Sequence, residues 1–299
     1  MNRRSWILFL AMGGIWGVPY LFIKVAVEHM APPVVVFGRT ALAAVPLLAL
    51  AARAGAIRPA LARWRPLLAF AVLEMALPWL LLTDAERHLP SGLTGLLIAC
   101  VPIAGAVIAY LLGERSALAP RRLVGIALGL GGVALLVGAD LAGQAPWWSV
   151  AEVLLVCIGY AGAPFIAARR LADVPDLGVV AVSLTGVAVL YAPLAWATWP
   201  DEPPPGSAWL AVIALAVLCT AVAFVVFFRL IAAVGPTRAT LITFVNPAVA
   251  VVVGALVLDE AITGATLGGF ALVLAGCWLA TKHEPDVIAE APVVVEPAH

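Results

Sequence analysis

From Leu96 to Gly113 the chain carries no charged residue, and it holds several more runs of the same kind. Such a run can cross a bilayer, which takes about 20 mostly apolar residues. Composition makes the same demand: 64% of the residues are hydrophobic, only 11% are charged, and the mean hydropathy is +1.09. A soluble domain carries about 25% charged residues and builds its surface from them. One large soluble domain is therefore excluded, and apolar surface must face lipid. The run has an odd feature for a spanning helix: Pro102 sits inside it, and Glu114 ends it. A second run, Leu241–Glu260, likewise holds Pro247 and ends on Asp259 and Glu260.

Ten runs qualify as spans: residues 5–26, 33–52, 66–86, 90–112, 121–139, 148–168, 177–198, 208–232, 236–258 and 264–281. Pro, Gly and charge fill the breaks between them. The start has the basic residues of a signal peptide, Arg3 and Arg4, but its apolar run is too long and lacks a small-residue cleavage site, so it reads as a retained first span. Residues 283–299 are acidic and Pro-rich and read as a disordered tail. With the N-terminus in the cytoplasm, all of the 17 Lys and Arg except Lys24, Arg39 and Arg87 fall on the cytoplasmic side. That asymmetry supports both the span count and the orientation, with both termini cytoplasmic.

The halves repeat. Aligning Pro102 with Pro247 places the Ala71–Leu73 triplet opposite an identical triplet at Ala216–Leu218, and further on, with the offset reduced by one, Gly125–Leu135 meets Gly269–Leu279. Each half holds five spans, an odd number, so the second enters the membrane inverted. The expected fold is an all-α integral membrane protein of ten transmembrane helices in two inverted five-helix repeats, at 1–140 and 146–282. Inverted repeats of this kind mark secondary transporters, whose sites lie near the midplane at the repeat interface.

Other chemistries find no support. Net charge is zero, which leaves no basic footprint for nucleic acid. Cys100, Cys157, Cys219 and Cys277 lie in apolar runs without CxxC spacing and read as small buried residues. The four histidines have no ligand spacing. There is no P-loop, no acid cluster for a metal and no Ser/His pair, so neither a cofactor, a metal site nor an enzymatic activity is expected.

Gly13–Lys24, Phe37–Ala44, Ala85–Arg115 and Gly235–Glu260 together resemble the drug/metabolite transporter superfamily, in particular its ten-span EamA-like branch, over residues 5–281. The resemblance implies a pseudo-symmetric basket in which spans 1, 3, 4, 6, 8 and 9 line a cavity and spans 5 and 10 pack outside it. Many relatives export amino acids or related metabolites; others move drugs, sugar phosphates or nucleotide sugars. Arg39 matches an arginine of the family. Glu74 departs from its pattern, where an apolar or small polar residue is implied.

Glu74 is the sharpest candidate. A charge at mid-membrane costs about 2.5–3.5 kcal/mol on insertion scales, so it should face a cavity, a substrate or a proton path. The alternative is a neutral carboxyl with a packing role. Helical spacing places Pro78 and Trp79 on its side of span 3. Trp16 and Tyr20, four apart on span 1, either stack on a solute or pack in the core, and the same two readings hold for Tyr160. Pro102 and Pro247 leave the carbonyls of Ile98 and Thr243 without their usual donor and bend the cavity wall, with Thr243 and Asn246 on the broken face. Lys24 and Arg39 either attract an acid or, the favoured reading, snorkel to the headgroups. Gly125, Gly129, Gly132, Gly264, Gly268 and Gly269 allow close helix contact and would suit a homodimer.

The sequence therefore reads as an inner-membrane secondary transporter exporting a small metabolite such as an amino acid, with proton exchange an open option. The alternatives are a transporter of drugs, amphiphiles or lipids, and a non-transporting scaffold.

Overall fold

A computed structural model describes residues 3–113, 120–141, 146–234 and 240–281. The expectations for Glu114 and for the tail at 283–299 lie outside the described residues. Every described element is helical. Seven of the expected spans reach full membrane-crossing length: Arg3–Val27, Pro32–Arg53, Trp64–Ala85, Ser91–Leu111, Trp147–Arg170, Asp176–Ala197 and Gly206–Val234. The other three expected spans hold the apolar helices Pro120–Leu141, Asn246–Val257 and Gly264–Thr281.

Several spans are broken, and proline marks where a helix restarts. The first is α1 (Arg3–Gly17) followed by α2 (Pro19–Val27), with Pro19 the first residue of α2. The fourth is α7 (Ser91–Ile98) followed, after a turn at Ala99 and Cys100, by α8 (Val101–Leu111). Pro102 is thus the second residue of a new helix, where a missing N–H costs nothing. This corrects the expected mid-helix kink. Pro247 occupies the same place in α14 (Asn246–Val257), which follows a 3-10 turn at Thr240–Phe244. Pro46, Pro164 and Pro193, by contrast, lie inside the unbroken helices α3 (Pro32–Arg53), α10 (Trp147–Arg170) and α11 (Asp176–Ala197).

Two further interruptions carry no proline. A π-helical turn, Val72–Ala76, joins α5 (Trp64–Ala71) to α6 (Leu77–Ala85), after the short α4 (Ile57–Ala62). Another, Val217–Val222, joins α12 (Gly206–Ala216) to α13 (Ala223–Val234). The register that pairs Pro102 with Pro247 also pairs Val72 with Val217 and Val101 with Asn246, the first residues of corresponding elements.

Helices of one half pack on helices of the other. The principal pairs are α3 with α11, α7 with α14, α9 (Pro120–Leu141) with α15 (Gly264–Thr281), α10 with α6, α2 with α12 and α1 with α13. Of the ten tryptophans, all but Trp16 and Trp79 are exposed and stand near helix ends, where amphipathic rings anchor at the headgroup level.

The α9–α15 crossing explains the glycines. A Cβ on Gly276 would stand 2.5 Å from Gly125 O and Gly129 N, and one on Gly132 would stand 2.8 Å from Gly269 O and Val273 N. Gly264 faces open space and is not part of the contact, which corrects that expectation. The glycines serve a contact within the chain. Gly276→Ala should therefore cost roughly 1–3 kcal/mol by overpacking and lower the melting temperature in detergent by several degrees. Gly131→Ala, which meets nothing within 4 Å, should leave the melting temperature unchanged.

Candidate functional site at the helix breaks

The two π-turns are tied down by side chains from the other half. Tyr191, on α11, donates its hydroxyl to Ala76 O at 2.9 Å. Arg39, on α3, donates from Nε to Thr220 Oγ1 at 3.0 Å, and Thr220 in turn donates to Leu215 O at 2.8 Å. The Arg39 guanidinium also stacks 3.7 Å from the centre of the Trp79 ring. Arg39 is only 7% exposed. The snorkelling expectation is therefore wrong for it: stacking and a hydrogen bond hold the side chain inside the bundle, within electrostatic reach of Tyr20 and Tyr160. Lys24 does not snorkel either. Its Nζ donates to Glu86 O at 2.7 Å and Leu89 O at 3.0 Å, closing the turn between α6 and α7.

Glu74 is the third residue of the first π-turn. It is half-buried and, among the described residues, neither hydrogen-bonded nor ion-paired. Gly159 brings α10 against this turn, since a Cβ there would lie 2.5 Å from Leu73 O. The next residue, Tyr160, comes within electrostatic reach of Glu74, Arg39 and the Trp79 side chain. Helical spacing placed both Pro78 and Trp79 beside Glu74. A π-turn bonds i to i+5 rather than i+4, as the Leu77 N–H to Val72 O bond shows. The residue one turn on is thus shifted toward Trp79.

The Trp16–Tyr20 pair is divided by the bend at Val18. Trp16 packs at a tilt against Phe227 at 4.8 Å and edge-on to Phe224 at 6.3 Å, and Phe228 extends the group. Tyr20 is buried and packs over Gly95, where α7 crosses α14. At the fourth-span break, Cys157 Sγ donates to Leu97 O at 3.4 Å and Cys277 Sγ to Ala99 O at 2.8 Å. No donor among the described residues reaches Ile98 O. At the ninth, the Asn246 amide nitrogen, oriented to satisfy its neighbours, lies 3.0 Å from Ile242 O and 3.1 Å from Gly13 O. Asn246 therefore ties the broken ninth span to the first. Thr243 is half-buried in the 3-10 turn before it, and Pro247 is buried.

Arg39 thus stacks on Trp79 and lies within electrostatic reach of Tyr20 and Tyr160, Tyr160 lies within reach of Glu74, and Trp16 packs in a separate aromatic group with Phe224 and Phe227. Neither Thr220 nor the cysteine thiols stand out in the sequence as donors to the backbone. A fixed cation, a carboxyl without a partner among the described residues and several ring faces thus lie inside an apolar bundle. Among the described residues no group of three His, Cys, Asp or Glu could hold a metal.

An apolar bundle of broken spans around such a group is the build of a multi-pass membrane transporter. The comparisons agree. The model of the EamA-like transporter family matches twice, at residues 4–138 and 147–282, and the chain belongs to that family. It is 32% identical to the inner membrane transporter YedA of Escherichia coli strain K12, over 80% of this chain and 78% of that one. It is 25% identical to the transporter YvbV of Bacillus subtilis, over 96% and 95%. It is 28% identical to a probable terminal-alkyne amino-acid exporter of Streptantibioticus cattleyicolor, over 95% of each. A crystal structure 22% identical in sequence shares the fold, with a TM-score of 0.65 over 94% of this chain and 98% of the other.

Thr220→Val should cost about 1–3 kcal/mol, because it leaves both Arg39 Nε and Leu215 O without their partner. Arg39→Lys should cost a similar amount, since an ammonium neither reproduces the Nε geometry nor stacks as well. The double variant is expected to fall short of the sum. Thermal denaturation in detergent checks all three.

Proposed function

We propose that the chain is a secondary active transporter of the inner membrane that exports a small zwitterionic metabolite, an amino acid or a close relative, by alternating access. Its ten spans form two inverted five-helix repeats, residues 1–140 and 146–282, with both termini in the cytoplasm. The repeated positions of the π-turns and of the helix restarts support the repeat, and the Lys and Arg asymmetry supports the orientation.

The observation that carries the substrate class is that Arg39, buried and fixed, and Glu74, half-buried and without a partner among the described residues, both lie within electrostatic reach of Tyr160. A carboxylate and an ammonium on one small solute answer those two charges. The aromatic wall of Trp16, Phe224 and Phe227 suits its apolar part. The printed role of the Streptantibioticus relative, an amino-acid exporter, points the same way. The restarts at Pro102 and Pro247 leave irregular backbone, which membranes tolerate where it lines a cavity.

Counterflow in proteoliposomes tests this reading. Preloaded amino acid is expected to drive uptake of labelled amino acid, and Glu74→Gln to weaken it at least about tenfold, the equivalent of one lost charged contact of about 1.4 kcal/mol, with folding intact. Counterflow with amphiphiles alone would move the assignment to that class. Unchanged counterflow in Glu74→Gln would remove the carboxyl from the site.

A further inference from the structure

A second polar cluster lies away from Arg39 and Glu74, at the end of the bundle where α2, α6, α7 and α14 finish or begin. Glu260 reaches back from the end of α14 and accepts Ser91 N–H at Oε1 (2.6 Å) and Gly92 N–H at Oε2 (2.8 Å). It thereby caps the N-terminus of α7, which has no side-chain cap of its own. The reach depends on Asp259, whose φ of 55° turns the chain, and on the bond from Glu260 N to Gly254 O (3.3 Å). Gly254 leaves the space: a Cβ there would meet Glu260 and Ser91 Oγ.

Beside this clasp, Glu86 is fully buried, and neither of its carboxyl oxygens has a hydrogen-bond partner; the Ser91 hydroxyl is buried and unpartnered as well. The groups facing Glu86 are Lys24 and Tyr20 from α2, Thr94 from α7 and Glu260. Lys24 is held on the carbonyls of Glu86 and Leu89, and Arg87 is taken by Asp84 at 3.1 Å. One ammonium therefore faces two carboxyl groups. Glu260 has each of its oxygens met by an N–H of α7. A buried carboxylate with both oxygens unmet is not stable. The cluster is neutral when Glu86 carries one proton.

We propose that Lys24, Glu86 and Glu260 form a proton-binding site that latches this end of the transporter. In the closed state the proton sits on Glu86 and Glu260 clasps α7. When the end opens, water reaches Glu86 through the cavity of about 260 Å³ beside Glu260, Gly92 and Thr266, and the O–H bond breaks, leaving carboxylate and hydronium. The closed state binds one proton more than the open state, so acid favours the latch and rising pH releases it. The proposal rests on the alternating-access reading above, and it adds a titrating site distinct from Glu74.

The test uses the full chain in lipid nanodiscs, where both faces meet one pH. Leu93→Cys, beside the cavity, reports opening by its rate of maleimide labelling, with the unsubstituted chain as the blank for its own cysteines. Thiol ionisation raises all rates with pH alike, so the readout is the ratio of the parent rate to that of Glu86→Gln. The ratio is expected to climb several-fold with rising pH, up to about tenfold per pH unit for one proton. A flat ratio overturns the proposal. Glu260→Gln, which weakens the clasp and leaves Lys24 to neutralise Glu86, should label fast with little pH dependence beyond the thiol's own. A parental profile there also overturns it. A climbing ratio without amino-acid counterflow sinks the metabolite reading and leaves the latch standing, while counterflow with a flat ratio does the reverse.

Discussion

Lipid offers no hydrogen bonds, so every backbone group that a broken helix releases must find a partner in the protein. That constraint organises this bundle. Several of the interruptions are met by side chains: Tyr191 on Ala76 O, Thr220 on Leu215 O with Arg39 behind it, Cys157 and Cys277 on the fourth-span break, Lys24 on the turn after α6, and Glu260 on the start of α7. The breaks are consequently the tie points between the halves. Polar groups that would be costly alone in a membrane are placed where they close a backbone bond.

The same logic separates the residues free to act from those already committed. Arg39 has its Nε engaged and its face stacked, so it offers a fixed charge with donors to spare. Glu74 has no partner among the described residues, and Glu86 has none for either oxygen. The two carboxyls differ in their company. Glu74 stands on a π-turn within electrostatic reach of Tyr160, whereas Glu86 stands beside an ammonium and a second carboxyl at the end of the bundle.

Much of the architecture was legible in the sequence because it rests on local physics. Apolar runs set the spans, proline and glycine punctuate them, and the paired prolines betray the repeat. The π-turns were not legible. Val72–Ala76 and Val217–Val222 contain neither proline nor glycine, and only the surrounding helices select the wider turn. For the same reason the fate of Arg39 was misread: its partners, Trp79 and Thr220, lie 40 and 181 positions away along the chain. A basic residue near a span end looks alike from sequence whether it reaches headgroups or a buried ring. Trp16 and Trp79 did stand apart in hindsight, as the tryptophans not placed near a helix end.

The π-turns have a further consequence. Each is a line defect in an otherwise regular lattice of backbone bonds, holding one surplus residue. Such a defect can be displaced along a helix much as a dislocation glides through a crystal, with bonds exchanged one at a time and none lost in the sum. Each step would swing the residues it passes by about 100°. A carboxyl seated on the defect, as Glu74 is, would be swung with it, and a matching defect in the other half would allow the mirror movement. Rigid apolar rods thereby gain a means of re-aiming one side chain at a time while staying fully bonded in lipid.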